Sequence, residues 1–169
     1  SPVITKKFTR EQRKTVYQWV NEKIKQGDQA FIVVPAIEPG KKGEVAVTDL
    51  RTLQKQLEGG ELHDVKVAAL HGRLKRDTRE HVMHRFRAGK IDALIATTVI
   101  EVGVDVPNAT MMIIEDADRF GLAQLHQLRG RVGRGQKPGV CVLIGNPKTE
   151  DGIARLNAMV ETTSGFVLA

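Results

Sequence analysis

The densest chemistry in this sequence is the octet Gln127-Leu128-Arg129-Gly130-Arg131-Val132-Gly133-Arg134. Arg131 and Arg134 stand three residues apart, a spacing that on a helical turn sets both side chains to one side. A guanidinium stays charged at physiological pH and forks onto phosphate oxygens. Two of them beside glycines can neutralise the charge that develops on a γ-phosphoryl group in transfer. Arg129 and Lys137 extend the cationic run. Gly130, Gly133 and Gly135 lie among these cations, and a glycine lets backbone come close to an anion. A bare arginine pair suits a nucleic-acid-binding loop or a solvated turn equally well; the whole octet is far more specific.

A second candidate runs from Ala96 to Pro107. Here Thr97 and Thr98 follow an apolar run, and hydroxyls and free amides at a strand end can hold phosphates. A turn holding Gly103 then leads to Asp105, whose carboxylate can accept hydrogen bonds from ribose hydroxyls. The plainer reading of this segment alone is a loop with a helix cap at Thr98.

The elements that must position these residues alternate between strand and helix. Thr9 with Gln12 makes a capping box before a helix carrying Val16, Val20 and Ile24, closed by Gly27. Continuous apolar runs at Phe31 to Val34, Val65 to Leu70, Ile91 to Ala96, Met111 to Ile114 and Val140 to Ile144 read as buried strands. Residues 39–43 read as a loop. Helices are expected after Thr48, from Asp77 or Thr78 to Gly89, over Leu122 to Leu128, and finally through Ile153, Leu156 and Val160. Alternating strands and helices indicate an α/β domain with a mainly parallel sheet. Ligands in such sheets gather at the carboxyl ends of strands, where His71-Gly72, Thr97-Thr98 and Glu115-Asp116 fall.

The chain has 169 residues, the size of one domain, with a formal net charge of +6 and a pI near 9.6. That balance favours a polyanionic partner. Aromatic residues make up only 4%, so affinity for nucleic acid would come from phosphate contacts rather than stacking. Trp19 and Tyr17 are expected to pack the first helix. Cys141 is the single cysteine and sits in an apolar run, which makes it a core thiol and excludes an internal disulfide. No apolar run is long enough to cross a bilayer and no secretory pattern opens the chain. Because it opens on Ser1 rather than Met, the chain reads as a piece of a larger protein.

The stretch from Phe31 to Gly135 resembles the C-terminal RecA-like domain of superfamily 2 helicases. Thr97 to Pro107 resembles motif V, Phe120 to Gly135 motif VI, and Leu70-His71-Gly72 motif IVa. Within that superfamily the RecG type is nearest, on Val99, Val102, Val104 and the tail Val160 to Phe166. The transcription-repair coupling translocase Mfd shares Gly121 to Arg134 and is the runner-up. The resemblance implies a three-layer α/β/α fold of the P-loop NTPase kind over residues 1–147, with residues 148–169 leading toward a translocation hairpin. It implies that Arg134 is an arginine finger, that Arg131 meets the γ-phosphate or helps close the domains, and that Gln127, Gly103 and Asp105 face the nucleotide. It implies that Thr97, His71 and Gly72 contact the DNA backbone. The cofactor would be ATP with Mg2+, bound mainly by a preceding RecA-like domain. The remaining implied partners are branched or duplex DNA and a wedge domain of the same polypeptide, in a monomeric, nucleoid-associated bacterial cytoplasmic protein without membrane contact.

Some features are missing or misleading. No G-x-x-x-x-G-K-[ST] occurs, so the chain alone should not hydrolyse ATP. Glu115-Asp116-Ala117-Asp118 imitates a Walker B box, but it lies between motifs V and VI. Those acids are expected to cap or orient the loop toward motif VI. His81 and His84 lack an apparent third ligand, so no metal site is expected. The rival readings are a non-catalytic nucleic-acid-binding RecA-like module and half of an RNA helicase.

Overall fold

The computed structural model describes residues 2–35, 43–97 and 106–162. Six strands form one sheet: β1 (Val3–Phe8), β2 (Gln29–Val34), β3 (Val67–Leu70), β4 (Ala93–Thr97), β5 (Ala109–Ile114) and β6 (Gly139–Ile144). Their order is β1-β6-β5-β2-β4-β3, and every neighbouring pair is parallel. β2, β4 and β5 are buried along their whole length, which is why they read as unbroken apolar runs rather than alternating ones.

The α-helices among the described residues are α1 (Arg13–Lys25), α2 (Gly43–Glu58), α3 (Arg76–Arg87), α4 (Leu122–Arg129) and α5 (Glu150–Glu161). They divide between the two faces. Alternate residues of β2 show the split: Ala30, Ile32 and Val34 join Val16, Tyr17 and Val20 of α1 and Leu50, Leu53 and Leu57 of α2. Phe31 and Val33 join Phe86 of α3, Leu125 of α4, and Leu156 and Met159 of α5. The result is a three-layer α/β/α domain. Each large apolar side chain taken out of water contributes about 1.5–3 kcal/mol, so both layers are held by burial more than by helix propensity.

Several local expectations shift. β1 has no counterpart in the sequence reading, because it is an edge strand paired only with β6 and only Val3 and Thr5 of it are buried. The second helix begins at Gly43 rather than after Thr48, since Glu44 to Val47 contain nothing that breaks a helix. The third begins at Arg76 with Lys75 as its N-cap, which leaves Asp77 inside the first turn. In α5 the buried face is Gly152, Leu156 and Met159, whereas Ile153 and Val160 are exposed. Gly152 packs closely at the helix start: a Cβ there would lie 3.1 Å from Oγ1 of Thr149, the N-cap of the same helix. The Thr98 cap, Glu101, Gly103, Asp105, most of the 39–43 loop and the tail beyond Thr162 lie outside the described residues.

Candidate functional site

The arginine octet begins on a helix and ends in a turn. Gln124 Oε1 accepts the Gly121 N–H at 3.1 Å and starts α4. The helix stops at Arg129, and Gly130 N–H closes it onto His126 O at 3.1 Å. Gly133 then takes a left-handed φ of +73°, which L side chains rarely adopt. Arg131 and Arg134 therefore sit on a glycine turn and not on a continued helix. The turn is pressed onto the sheet. A Cβ on Gly133 would fall 2.9 Å from Val3 Cγ2, and one on Gly135 would fall 2.6 Å from Pro107 O. A Cβ on Gly139 would meet Gly133 Cα at 2.9 Å. These glycines let the backbone touch the starts of β1 and β6 and the approach to β5.

All of those contacts are at strand starts, so the turn occupies the amino edge of the sheet. Gln127, exposed in the last turn of α4, is at the same end as half-buried Arg131 and exposed Arg134. Arg134 Nε donates to Gly130 O at 2.9 Å, which folds the side chain back over the helix end. His71, Gly72 and Thr97 lie at the opposite, carboxyl edge, at the ends of the neighbouring strands β3 and β4. His71 and Thr97 are each 5% exposed and Gly72 is exposed. His71 Nδ1 accepts the Arg73 N–H at 3.3 Å. Burial, then the charges of Arg51 and Arg73, lower its pKa and so favour the neutral ring. The chain leaves β4 at the carboxyl edge and re-enters the sheet beyond Pro107 at the amino edge.

Two cations of the run serve the fold. Arg129 is 2% exposed and points inward. Its Nη1 donates to Met159 O at 3.0 Å, Thr162 O at 2.9 Å, Thr162 Oγ1 at 3.1 Å and Thr5 Oγ1 at 3.2 Å. Four acceptors exceed the two protons on that nitrogen, so the bonds are shared. The carbonyls belong to the end of α5, where the helix dipole favours a cation. Nη2 lies 2.9 Å from His126 Nδ1, which requires a neutral His126 as acceptor. Burial, then Arg129, lowers the His126 pKa and supports that state. Lys137 donates to Asp28 Oδ1 at 2.9 Å. The cationic run is thus divided between the turn (Arg131, Arg134) and the scaffold (Arg129, Lys137). Arg129 falls four residues after buried Leu125, a helical spacing that points it at the core.

Of the acids expected to cap or orient the loop toward motif VI, Glu115 and Asp116 direct their side chains to Tyr17, Arg13 and Arg10 instead. Glu115 is 3% exposed and faces α1. It accepts Tyr17 Oη at 2.5 Å and Arg13 Nη2 at 2.6 Å, while Asp116 pairs with Arg10. Burial, then Glu115, pushes the Tyr17 hydroxyl well above its usual pKa. These groups bind α1 to the carboxyl edge, since the chain reaches Glu115 before it returns through α4. Tyr17 is fully buried and Trp19 packs against the same cluster, as expected for helix packing. Cys141 is buried, and burial raises its thiol to about 12, so it is an inert core residue.

The amino edge offers guanidinium groups and closely approaching backbone, which fit a phosphate. Among the described residues no group of three or more His, Cys, Asp or Glu is placed to hold a metal ion, and no helix is long and apolar enough to cross a membrane.

Comparison with known proteins adds to this geometry. The model of the helicase conserved C-terminal domain matches residues 8–136. The ATP-dependent DNA helicase RecG of Streptococcus pneumoniae serotype 4 is 48% identical over 171 residues, covering 99% of this chain and 25% of its own length. RecG of Staphylococcus aureus strain Mu50 is 46% identical over 169 residues, covering 99% and 24%. The chain thus spans about a quarter of the length of these relatives. The solved structure of RecG bound to a three-way DNA junction superposes with a TM-score of 0.80 at 40% identity, covering 99% of this chain and 21% of that one. Dbp5 of S. cerevisiae, bound to RNA and ADP BeF3, superposes at 0.65 with 20% identity, covering 92% and 38%, a likeness of fold alone.

Proposed function

The chain belongs to the helicase conserved C-terminal domain family, and we propose that it is the second motor domain of a RecG-type, ATP-dependent DNA helicase acting on branched DNA. The observation that carries this reading is the glycine-held turn presenting Arg131 and Arg134 at one edge of the sheet, while His71, Gly72 and Thr97 stand at the other.

On this reading ATP with Mg2+ is held mainly by a preceding RecA-like domain and supplies a hydrolysable phosphoanhydride. Arg134 is the arginine finger reaching across the domain interface, Arg131 meets the γ-phosphate or helps close the interface, and Gln127 faces the nucleotide from the end of α4. Gly103 and Asp105 would meet the nucleotide as well. Gly72, with Thr97 and His71 behind it, would follow the DNA backbone. The burial of Thr97 and His71 favours contact through the chain around them over contact through their own side-chain tips. Because both edges belong to one rigid sheet, closing on the nucleotide would move the DNA edge as a unit. Residues 1–147 would form the motor domain and 148–169 the lead to a translocation hairpin. A wedge domain elsewhere in the polypeptide would select the branched structure, in a monomer working at the bacterial nucleoid.

Arg134→Ala in the complete motor tests this assignment. Losing an arginine finger costs about 10³–10⁵ in turnover, with DNA binding largely kept. Near-normal ATPase in that variant would remove Arg134 from the chemistry.

A further inference from the structure

The arginine turn has an anchor at the amino edge of the sheet, just before β2. Between Gly130 and Gly139 the chain has no regular structure, and its glycines fix it against Val3 and Pro107. Past Gly135, Lys137 Nζ reaches Asp28 Oδ1 at 2.9 Å. Asp28 is 5% exposed and rigidly placed. It follows Gly27, whose φ of +101° closes α1, and its own N–H donates to Lys23 O at 3.1 Å. The next residue, Gln29, donates its N–H to Asn108 O at 2.7 Å and its side-chain amide to Phe86 O and Ile91 O at 2.7 and 2.8 Å. Asn108 adjoins Pro107, the residue against which Gly135 packs.

Asp28 thus stands where α1, the start of β5 and the arginine turn converge. Its other oxygen meets Lys23 Nζ at 3.5 Å, so two lysines hold the carboxylate, one from the stretch that follows the turn and one from α1. Lys137 is half exposed, so water screens its side of the pair, while the buried carboxylate of Asp28 needs a cation beside it. What the pair adds is a fixed distance between the turn and the sheet. We propose that Asp28 is a positioning residue for ATP hydrolysis, acting through Lys137 to set the height of Arg131 and Arg134 at the amino edge. The proposal rests on the reading of Arg134 as the finger. A displaced charge-stabilising group lowers turnover more than it lowers ground-state affinity.

The test is DNA-stimulated ATP turnover of the complete motor carrying Asp28→Asn, Lys137→Met, both together, Lys137→Arg or Lys23→Met, with Arg134→Ala as reference. Asp28→Asn and Lys137→Met should each lower kcat about tenfold while KM for ATP moves less than about twofold. The double variant should fall no further than the weaker single, and Lys137→Arg should keep most of the turnover. Lys23 meets the same carboxylate from outside the turn, so Lys23→Met should leave kcat near normal. Unchanged kcat in Lys137→Met beside an inactive Arg134→Ala overturns the brace and spares the finger; an active Arg134→Ala overturns the finger itself. Equal losses in Lys23→Met and Lys137→Met, or a melting temperature that falls in step with kcat, would reduce Asp28 to a stabiliser of the α1 end and overturn the proposal.

Discussion

Replacing Arg129 with Met separates the scaffold cation from the two on the turn. The arginine stem fills space between α4, β1 and α5, and methionine replaces most of that volume, so the cavity left is small. What is lost is the polar end. Hydrogen bonds from a charged donor contribute about 1.5–3 kcal/mol each, and a buried carbonyl left unpaired costs about 1–3 kcal/mol. Met159 O is buried at the α5 end, whereas Thr162 is partly exposed and water can replace the guanidinium there. Removing a buried charge also relieves its desolvation, so the terms offset in part. The net expectation is a loss of about 2–4 kcal/mol. For a chain of this size that is a fall in melting temperature of about 4–15 °C, followed by circular dichroism. Arg134→Ala, on the exposed turn, should shift it by less than about 2 °C. A melting temperature unchanged in Arg129→Met would refute the reasoning, because the network at the α5 end would then hold nothing together.

Two further outcomes follow from the same contacts. Tyr17→Phe removes a buried donor from Glu115 and should cost about 1–2 kcal/mol in urea unfolding, with Arg13 still paired to the carboxylate; a neutral result would mean that water replaces the hydroxyl. His126 binds its proton more weakly in the fold than in the unfolded chain, so its neutral form stabilises the fold above its ordinary pKa of 6.5, and that contribution declines as pH falls below it. Unfolding measured between pH 5 and 8 should show this slope in the wild type and lose most of it in Arg129→Met.

The layered fold was legible because central parallel strands are buried on both faces and leave unbroken apolar runs such as Phe31 to Val34. β1 was not, since an edge strand carrying Lys6 and Lys7 shows neither a run nor a clean alternation. Helix phase failed in α5, where Gly152 has no side chain to report which face it occupies, although it lies on the buried one. In the candidate site the cations looked alike in sequence, and only position distinguishes Arg129 under α5 from Arg134 on the turn. Asp28 carried no signal at all, because its partner Lys137 is 109 positions away. The placing of Arg131 and Arg134 at the amino edge follows from α4 running back along the sheet. The rule that ligands collect at carboxyl ends had drawn attention to the other edge.

The most direct measurement of the central claim compares DNA-stimulated ATP hydrolysis by this chain alone with hydrolysis by the same chain joined to the RecA-like domain that precedes it. The account predicts silence from the chain alone and DNA-stimulated turnover when the two are joined, because Arg131 and Arg134 complete a phosphate site they cannot form by themselves. Hydrolysis by the chain alone would contradict it.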